Sequence, residues 1–278
     1  MNGHTTGHTT GHTTGHPTGH PTRTAERLAG IERYYDAVPR PVATTEEVGP
    51  FTLFLAEEGT GWQYYARPRL GLDTEVTPDD VRRVLARQAE LGVPRAVEWV
   101  DEVTPSLLPA VREAVSEPHE LELCPLLVLP PGPGPEADPD RTRVLAADDP
   151  DLALVVGAVN AAFDEKDEFA PRDAGKRREL IEAGLLVMVG VYDASGAVVG
   201  GGSAAPRGDT AELMGIAVVP HARRRGLGAA ATSALVAACR ADGVETVFLS
   251  AASDDAANVY RALGFVREGC ACILEVGG

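Results

Sequence analysis

The chain has 278 residues, of which 44% are apolar, with four cysteines and a formal net charge of −16. That length suits one large domain or two small ones. The strong negative charge argues against binding nucleic acid through phosphate neutralisation. No apolar run reaches the roughly 18 residues of a membrane-spanning helix, so no membrane association is expected. The opening MNGHTTGHTT has neither the basic nor the apolar region of a secretory signal, and a cytoplasmic location is expected. Cys124, Cys239, Cys270 and Cys272 show no metal-ligand spacing and read as reduced thiols.

Taken in chain order, the first segment is a four-residue repeat, GHTT and then GHPT, which cannot bury a core and is expected to be disordered over residues 1–24. His4, His8, His12, His16 and His20 offer imidazoles for a metal. Gly, Thr and Pro disfavour the helix that would align them, so a plain tail is preferred and no metal is expected. Structure is expected from about Glu46. PFTLFLAEEGTGWQYYARP reads as two strands joined by a Gly-containing turn. Thr77 and Pro78 form a helix start, Val81, Val84, Leu85, Gln88 and Leu91 follow at helical spacing, and Gly92 ends the run. A short strand at 96–100, a helix from about Thr104 and the apolar strand LELCPLLVL complete an α/β unit over residues 25–130. PPGPGPEADPD, residues 130–140, then reads as a linker between domains.

Residues 141–278 give a fuller pattern. A strand at 142–147 precedes helices at 149–163 and 174–183. Strands LLVMVGVYD, AVVGGGSAAP and AELMGIAVV follow, then a helix ending at Gly243, strand TVFLSA, helix DDAANVYRALG and strand CACILEV. Cys270 and Cys272 alternate in that last strand and share a face. The whole is expected to be an α/β fold built on a mixed sheet.

The chemistry is carried by VVPHARRRGLGAAATSAL. Here Arg223, Arg224 and Arg225 follow a strand and precede Gly226, Leu227, Gly228 and Ala229, where a helix begins. Glycines let backbone N–H groups come close to an anion. The first amides of the helix lack internal partners and lie at the positive end of its dipole, and arginine forks suit phosphate. The plainer alternative is a tight turn carrying a solvated basic run. Neither the G-x-x-x-x-G-K-[ST] phosphate loop nor a G-x-G-x-x-G dinucleotide turn is present.

With these residues in view, the segment resembles the GNAT superfamily of N-acetyltransferases. Its acyl-CoA loop [RQ]-x-x-G-x-[GA] is matched by Arg223, Gly226 and Gly228. The family's downstream N-x-x-A-x-x-L-Y-x-x-x-G-F is similar to Ser253–Phe265, with Ser253 in place of Asn and Val259 in place of Leu. The resemblance covers about residues 140–278. It implies an acyl-CoA N-acyltransferase fold and transfer of an acetyl group from acetyl-CoA to a primary amine, small molecule or peptide, by direct attack. It further implies that the pyrophosphate takes the amides of Arg223 to Ala229, that the pantetheine arm pairs near Ile216, Ala217 and Val218, and that Ser253 borders the cofactor. Tyr260 stands where the family often has its general acid, and Glu212 resembles the glutamate base of its histone-acetylating branch. Residue by residue, the plainer reading of Tyr260 is an amphipathic core tyrosine, and that of Glu212 is a solvated or Arg-paired carboxylate. The acidic loop DEKDEF at 164–169 borders the acceptor site in the resemblance, or is a solvated charge run.

Residues 46–130 lack the loop motif, yet their order of strands and helices echoes the second half of such a fold. They read as a degenerate GNAT-like copy that shapes the acceptor cleft. The expected partners are the amine substrate and, as a candidate, a second copy of the chain in a homodimer. A non-catalytic acyl-CoA-binding or sensor protein of the same fold is the alternative.

Overall fold

The computed structural model describes residues 22–56, 65–116, 119–132 and 134–277. The His-rich repeat through residue 21 and the Gly-containing turn at 57–64 lie outside them. Order begins well before Glu46, which corrects the sequence-based expectation. Helix α1 runs Arg23–Ala37 with Thr22 as its cap, the Thr22 hydroxyl accepting from the Ala25 N–H at 3.3 Å. Its apolar residues Leu28, Ile31 and Tyr34 do recur at helical spacing. Charged side chains and Gly30 between them dilute the signal. Strand β1, Ala43–Val48, pairs antiparallel with β2, Phe51–Ala56, and β2 with β3, Ala66–Pro68.

Helix α2 spans Pro78–Leu91 with the boundaries its sequence dictates. Thr77 and Asp80 form a reciprocal capping box, Pro78 takes the first helical position, and Gly92 at φ +66° turns the chain out. Strand β4, Arg95–Val100, helix α3, Leu107–Ala114, and strand β5, His119–Leu129, complete the N-terminal half. The C-terminal half runs β6 Thr142–Leu145, α4 Leu152–Phe163, α5 Gly175–Glu182, β7 Val187–Tyr192, β8 Val198–Arg207 and β9 Thr210–Val218. It continues with α6 Leu227–Ala241, β10 Thr246–Ser250, α7 Asp254–Arg261 and β11 Val266–Val276.

All of these strands join in one sheet of eleven, ordered β1-β2-β3-β4-β11-β5-β10-β9-β8-β7-β6. The two halves exchange their last strands. β11 pairs with β4 from Ala271↔Val100 to Val276↔Arg95, and β5 pairs with β10 from Leu129↔Val247 to Leu126↔Ser250. β5 and β11 also pair with each other, antiparallel along nearly their full length. On either side of this centre the arrangement repeats, with β3 parallel to β4 and β9 parallel to β10.

Alternation along the strands sorts the core into two faces. α2 and α3 cover Phe51, Leu53, Val97, Trp99, Cys272 and Leu274 on one face of the N-terminal half. On that same side of the sheet, α6 and α7 cover Leu127, Leu129, Ala211, Leu213, Val247 and Leu249. The opposite face carries α1 over Val100, Leu126, Val128, Phe248 and Ala271, and α4 with α5 over β6 and β7. Within the Pro/Gly-rich segment, Gly134 and Ala137 lie against α6: a Cβ on Gly134 would lie 2.5 Å from Val236 Cγ1, and Ala137 is partly buried against the α6 core.

Because β5 supplies pairing partners to both β10 and β11, residues 131–278 expressed alone should lack a cooperative thermal transition. Co-expression with residues 22–130 should restore one. Calorimetry of the two preparations checks this, and a full-height transition from the fragment alone would refute it.

Candidate functional site

β9 and β10 run side by side only from Thr246↔Thr210 to Phe248↔Glu212, while β9 continues to Val218. Beyond Glu212 the two strands part, so the inner edge of β9 from Leu213 onward faces an opening instead of a neighbour. The edge is re-aimed by a bulge. Gly201 pairs with Ala217 and Ser203 with Met214, leaving Gly215 and Ile216 opposite Gly202. Gly215 sits at φ +61°, a conformation glycine adopts without strain. A Cβ on Gly202 would approach Ile216 Cγ1 to 2.9 Å, so the strand opposite the bulge also needs glycine. Ile216 and Ala217 are half-buried along this edge, and Val218 is buried.

β9 leads through a short 3-10 turn at Pro220–Ala222 into the loop and α6. Arg224 at φ +60° and Gly226 at φ +77° bend the chain, and α6 starts at Gly226 with no side-chain cap. The first amide to return to the helix is that of Ala230, which donates to Gly226 O at 3.0 Å. The amides of Arg224 to Ala229 donate to no backbone carbonyl among the described residues. They form a concave row at the positive end of α6. Gly228 has nothing within 4 Å of where a Cβ would stand, so the row is open to a ligand. The matching terminus in the N-terminal half, that of α2, is closed by its capping box and carries Asp79 and Asp80, which would repel an anion.

The three arginines of the loop have different fates. Arg223 points back: Nε donates to Val218 O at 2.9 Å, Nη2 to Ala162 O at 2.9 Å, and Nη1 meets Glu165 Oε2 at 2.7 Å. Its own amide closes the 3-10 turn onto Pro220 O at 3.2 Å. Arg225 donates to His221 O at 3.1 Å, and Arg141 holds Arg225 O. Arg224 is exposed. The acidic loop is fastened beside them. Besides Glu165, Asp167 Oδ1 accepts from the His221 N–H at 2.8 Å and lies 3.0 Å from its Nδ1. Ser253 caps α7, its hydroxyl accepting from the Ala256 N–H at 3.2 Å.

Glu212 and Tyr260 lie on opposite faces of the sheet, one on each side of the opening. Tyr260 packs with the α6–α7 core, its ring edge-on to Phe265 at 6.1 Å. Burial pushes its phenol upward, and its hydroxyl takes no protein partner among the described residues. Glu212 lies under α1, beside Phe248 in register. Tyr35 Oη donates to Glu212 Oε1 at 2.9 Å, and Oε2 accepts no hydrogen bond among the described residues. Desolvation pushes the Glu212 carboxyl up to about 7 against the lowering pull of the Tyr35 hydrogen bond. The charge of Glu98 adds to the rise and Arg67 opposes it. Ser203 and Met214 share this face with Glu212 by register and are half-buried. These three residues lie on the sheet face on which α1 and α4 pack.

The sequence reading did not reach Tyr35, Arg67, Glu98 or Glu32. Arg67 lies with its guanidinium carbon 4.1 Å from the Tyr35 ring centroid and donates to Glu98 Oε2 at 2.8 Å and toward Glu32 Oε2 at 3.4 Å. The Val100 N–H donates to Glu32 Oε1 at 2.8 Å. The one available signal was the helical recurrence of Leu28, Ile31, Tyr34 and Tyr35.

Residues 156–265 match the model of the acetyltransferase (GNAT) family. Among solved structures, a GCN5-related N-acetyltransferase from Kribbella flavida superposes with a TM-score of 0.70 at 23% identity, covering 90% of this chain and 96% of that one. A tandem GNAT protein from the clavulanic acid biosynthesis pathway gives 0.51 at 16% identity, covering 82% and 79%. A GCN5-related N-acetyltransferase-like protein from Streptococcus suis gives 0.51 at 13%, covering 91% and 100%. At these identities the likeness is one of fold. No curated protein matches the sequence.

Proposed function

We propose, starting from the match of residues 156–265 to the model of the acetyltransferase (GNAT) family, that the chain transfers an acetyl group from acetyl-CoA to a primary amine by direct attack in a ternary complex. The observation that carries this reading is the alignment of three features along one path: the open amide row at 224–229, the unpaired edge of β9, and Glu212 at the point where β9 and β10 part. Acetyl-CoA supplies a thioester carbon open to attack by an amine.

In this reading the amides of Arg224 to Ala229 hold the pyrophosphate, and the Arg224 side chain adds charge from the rim. Arg223 acts from behind. By clamping Val218 O and Ala162 O it fixes the end of β9 relative to the loop. The edge of β9 around Ile216 to Val218 pairs with the pantetheine arm as an added strand would. An N–H there faces the thioester oxygen and stabilises developing negative charge, worth on the order of 3 kcal/mol per donor. The amine enters along the sheet face that carries Ser203, Glu212 and Met214. Glu212 takes its proton on the free Oε2, directly or through a water, and a carboxyl that titrates near 7 is matched to that task at neutral pH. On the far face Tyr260, protonated and without a protein acceptor among the described residues, gives its proton to the leaving sulfur. The two proton transfers are thus kept apart by the sheet itself.

Gly228→Glu should leave the thermal transition unchanged, since the position is open. It should abolish acetyl-CoA binding in calorimetry by placing a carboxylate in the amide row; unaltered binding would remove the cofactor from this loop. A screen of primary amines with the parent chain should find an acceptor. With that acceptor, Glu212→Gln should lower kcat/KM by about 10²–10⁴-fold. It should also erase an acid limb that in the parent falls below about pH 7, because protonation there removes the base. Tyr260→Phe should lower kcat by more than tenfold with little change in the KM for acetyl-CoA. Binding without turnover on any amine would return the chain to the sensor reading.

A further inference from the structure

We propose that Tyr35, from the N-terminal half, is a positioning residue for the Glu212 carboxylate, held in place by the Glu32–Arg67–Glu98 ion cluster against which its ring lies. The inference rests on the reading of Glu212 as the base and extends the acyl-transfer site into the half of the chain that lacks the loop motif.

The contacts form one connected path. Glu32 stands on α1 one turn before Tyr35, so both side chains can reach the same region of the sheet. Arg67 comes from β3 and Glu98 from β4. Arg67 and Glu32 are among the few buried charged residues, at 6% and 5% exposure. A buried arginine between two carboxylates is costly to desolvate and is kept in place only by well-formed partners. Here the close partner is Glu98 at 2.8 Å, with Glu32 farther off at 3.4 Å and itself held by the Val100 amide. The face of that fixed guanidinium meets the Tyr35 ring, whose edge packs on Phe248 at 5.4 Å and on Tyr34 at 5.7 Å. With its plane set on three sides, Tyr35 directs one donor at one oxygen of Glu212 and leaves the other oxygen free. That is the arrangement of a base whose orientation is settled before the amine arrives.

The groups facing Glu212 are Tyr35 and Tyr34 on α1, Arg67 on β3 and Glu98 on β4; β8 and β10 offer the uncharged Ala205 and Phe248. Tyr34 is an internal control. It shares the helix and the aromatic cluster, but its hydroxyl donates to Ala205 O at 2.7 Å and not to the carboxylate.

The experiment uses the full chain with glutamate carboxyls labelled with ¹³C. Glu212 is assigned by its loss in Glu212→Gln, and its NMR titration is followed in the parent, Tyr35→Phe and Tyr34→Phe. Both Phe variants keep the rings and should fold. Removing the Tyr35 hydroxyl withdraws a donor from the charged form, so the Glu212 midpoint should rise by about one pH unit, while Tyr34→Phe leaves it in place. The acid limb of kcat/KM with the screened amine should rise by the same amount, giving roughly tenfold less activity below the midpoint and little loss well above it. An unshifted midpoint in Tyr35→Phe, or equal shifts in both variants, would overturn the proposal. A midpoint that shifts under a static acid limb would show that Glu212 is not the base, which defeats the role of Tyr35 in the reaction. If no amine is acetylated, the proposed function falls, and the titration alone decides whether Tyr35 sets the carboxylate.

Discussion

The structure depends on a reciprocal strand exchange at the middle of its sheet. Neither half closes its own sheet: β4 finds its next neighbour in β11, and β10 finds its next neighbour in β5. An unpaired strand edge inside a buried sheet leaves a row of amides and carbonyls unsatisfied, and the exchange removes that cost for both halves together. It also fixes where everything else can lie. With β5 and β11 antiparallel at the centre, α1 can cross the face of β4, β11, β5 and β10 and deliver Tyr34 and Tyr35 to β8 and β9, far along the sheet from their own strands.

The same architecture is used differently on its two flanks. Each half has a parallel strand pair joined by a helix on one face, yet only the C-terminal crossover begins with an open helix start. At α6 the chain uses Gly226 and an uncapped terminus, which leaves donors free for an anion. At α2 it uses Thr77, Pro78, Asp79 and Asp80, which satisfy the donors internally and set negative charge where an anion would sit. The difference is local chemistry on a repeated arrangement. The N-terminal flank still carries charge inside: Arg67 and Glu32 are buried there against the energetic trend, with Glu98 half-buried beside them.

Much of this was legible in the sequence because its causes are local. The capping box and terminal Gly of α2, the alternation of Cys270 and Cys272 in β11, and the Gly-rich turn before α6 all depend on residues within a few positions of one another. α1 was less legible because Gly30 and its many charges dilute a short apolar stripe. What lay out of reach was long-range. Arg223 reads as a phosphate ligand by its neighbours, whereas its side chain is committed to Val218 O, Ala162 O and Glu165. The PPGPGPEADPD segment reads as a linker, and that its Gly134 and Ala137 lie against α6, where the exchanged β5 delivers the chain, was not visible in it. Nothing in the local pattern says that Tyr35 will meet Glu212, since that contact exists only once the strand order is known.

The exchange has a bearing on how the molecule comes into being. Val128 must wait for Val266, and Val100 for Ala271, before either half has a complete sheet. Pairings at such sequence separation raise contact order and slow folding. As the polypeptide leaves the ribosome, its first half emerges with β4 and β5 lacking the strand between them. It stays open-edged until the second half has been made almost to its end. Such a chain gains little from folding its parts in order of synthesis. During that interval its exposed edges are its most vulnerable feature, and another nascent copy offering the same strands could take β11's place.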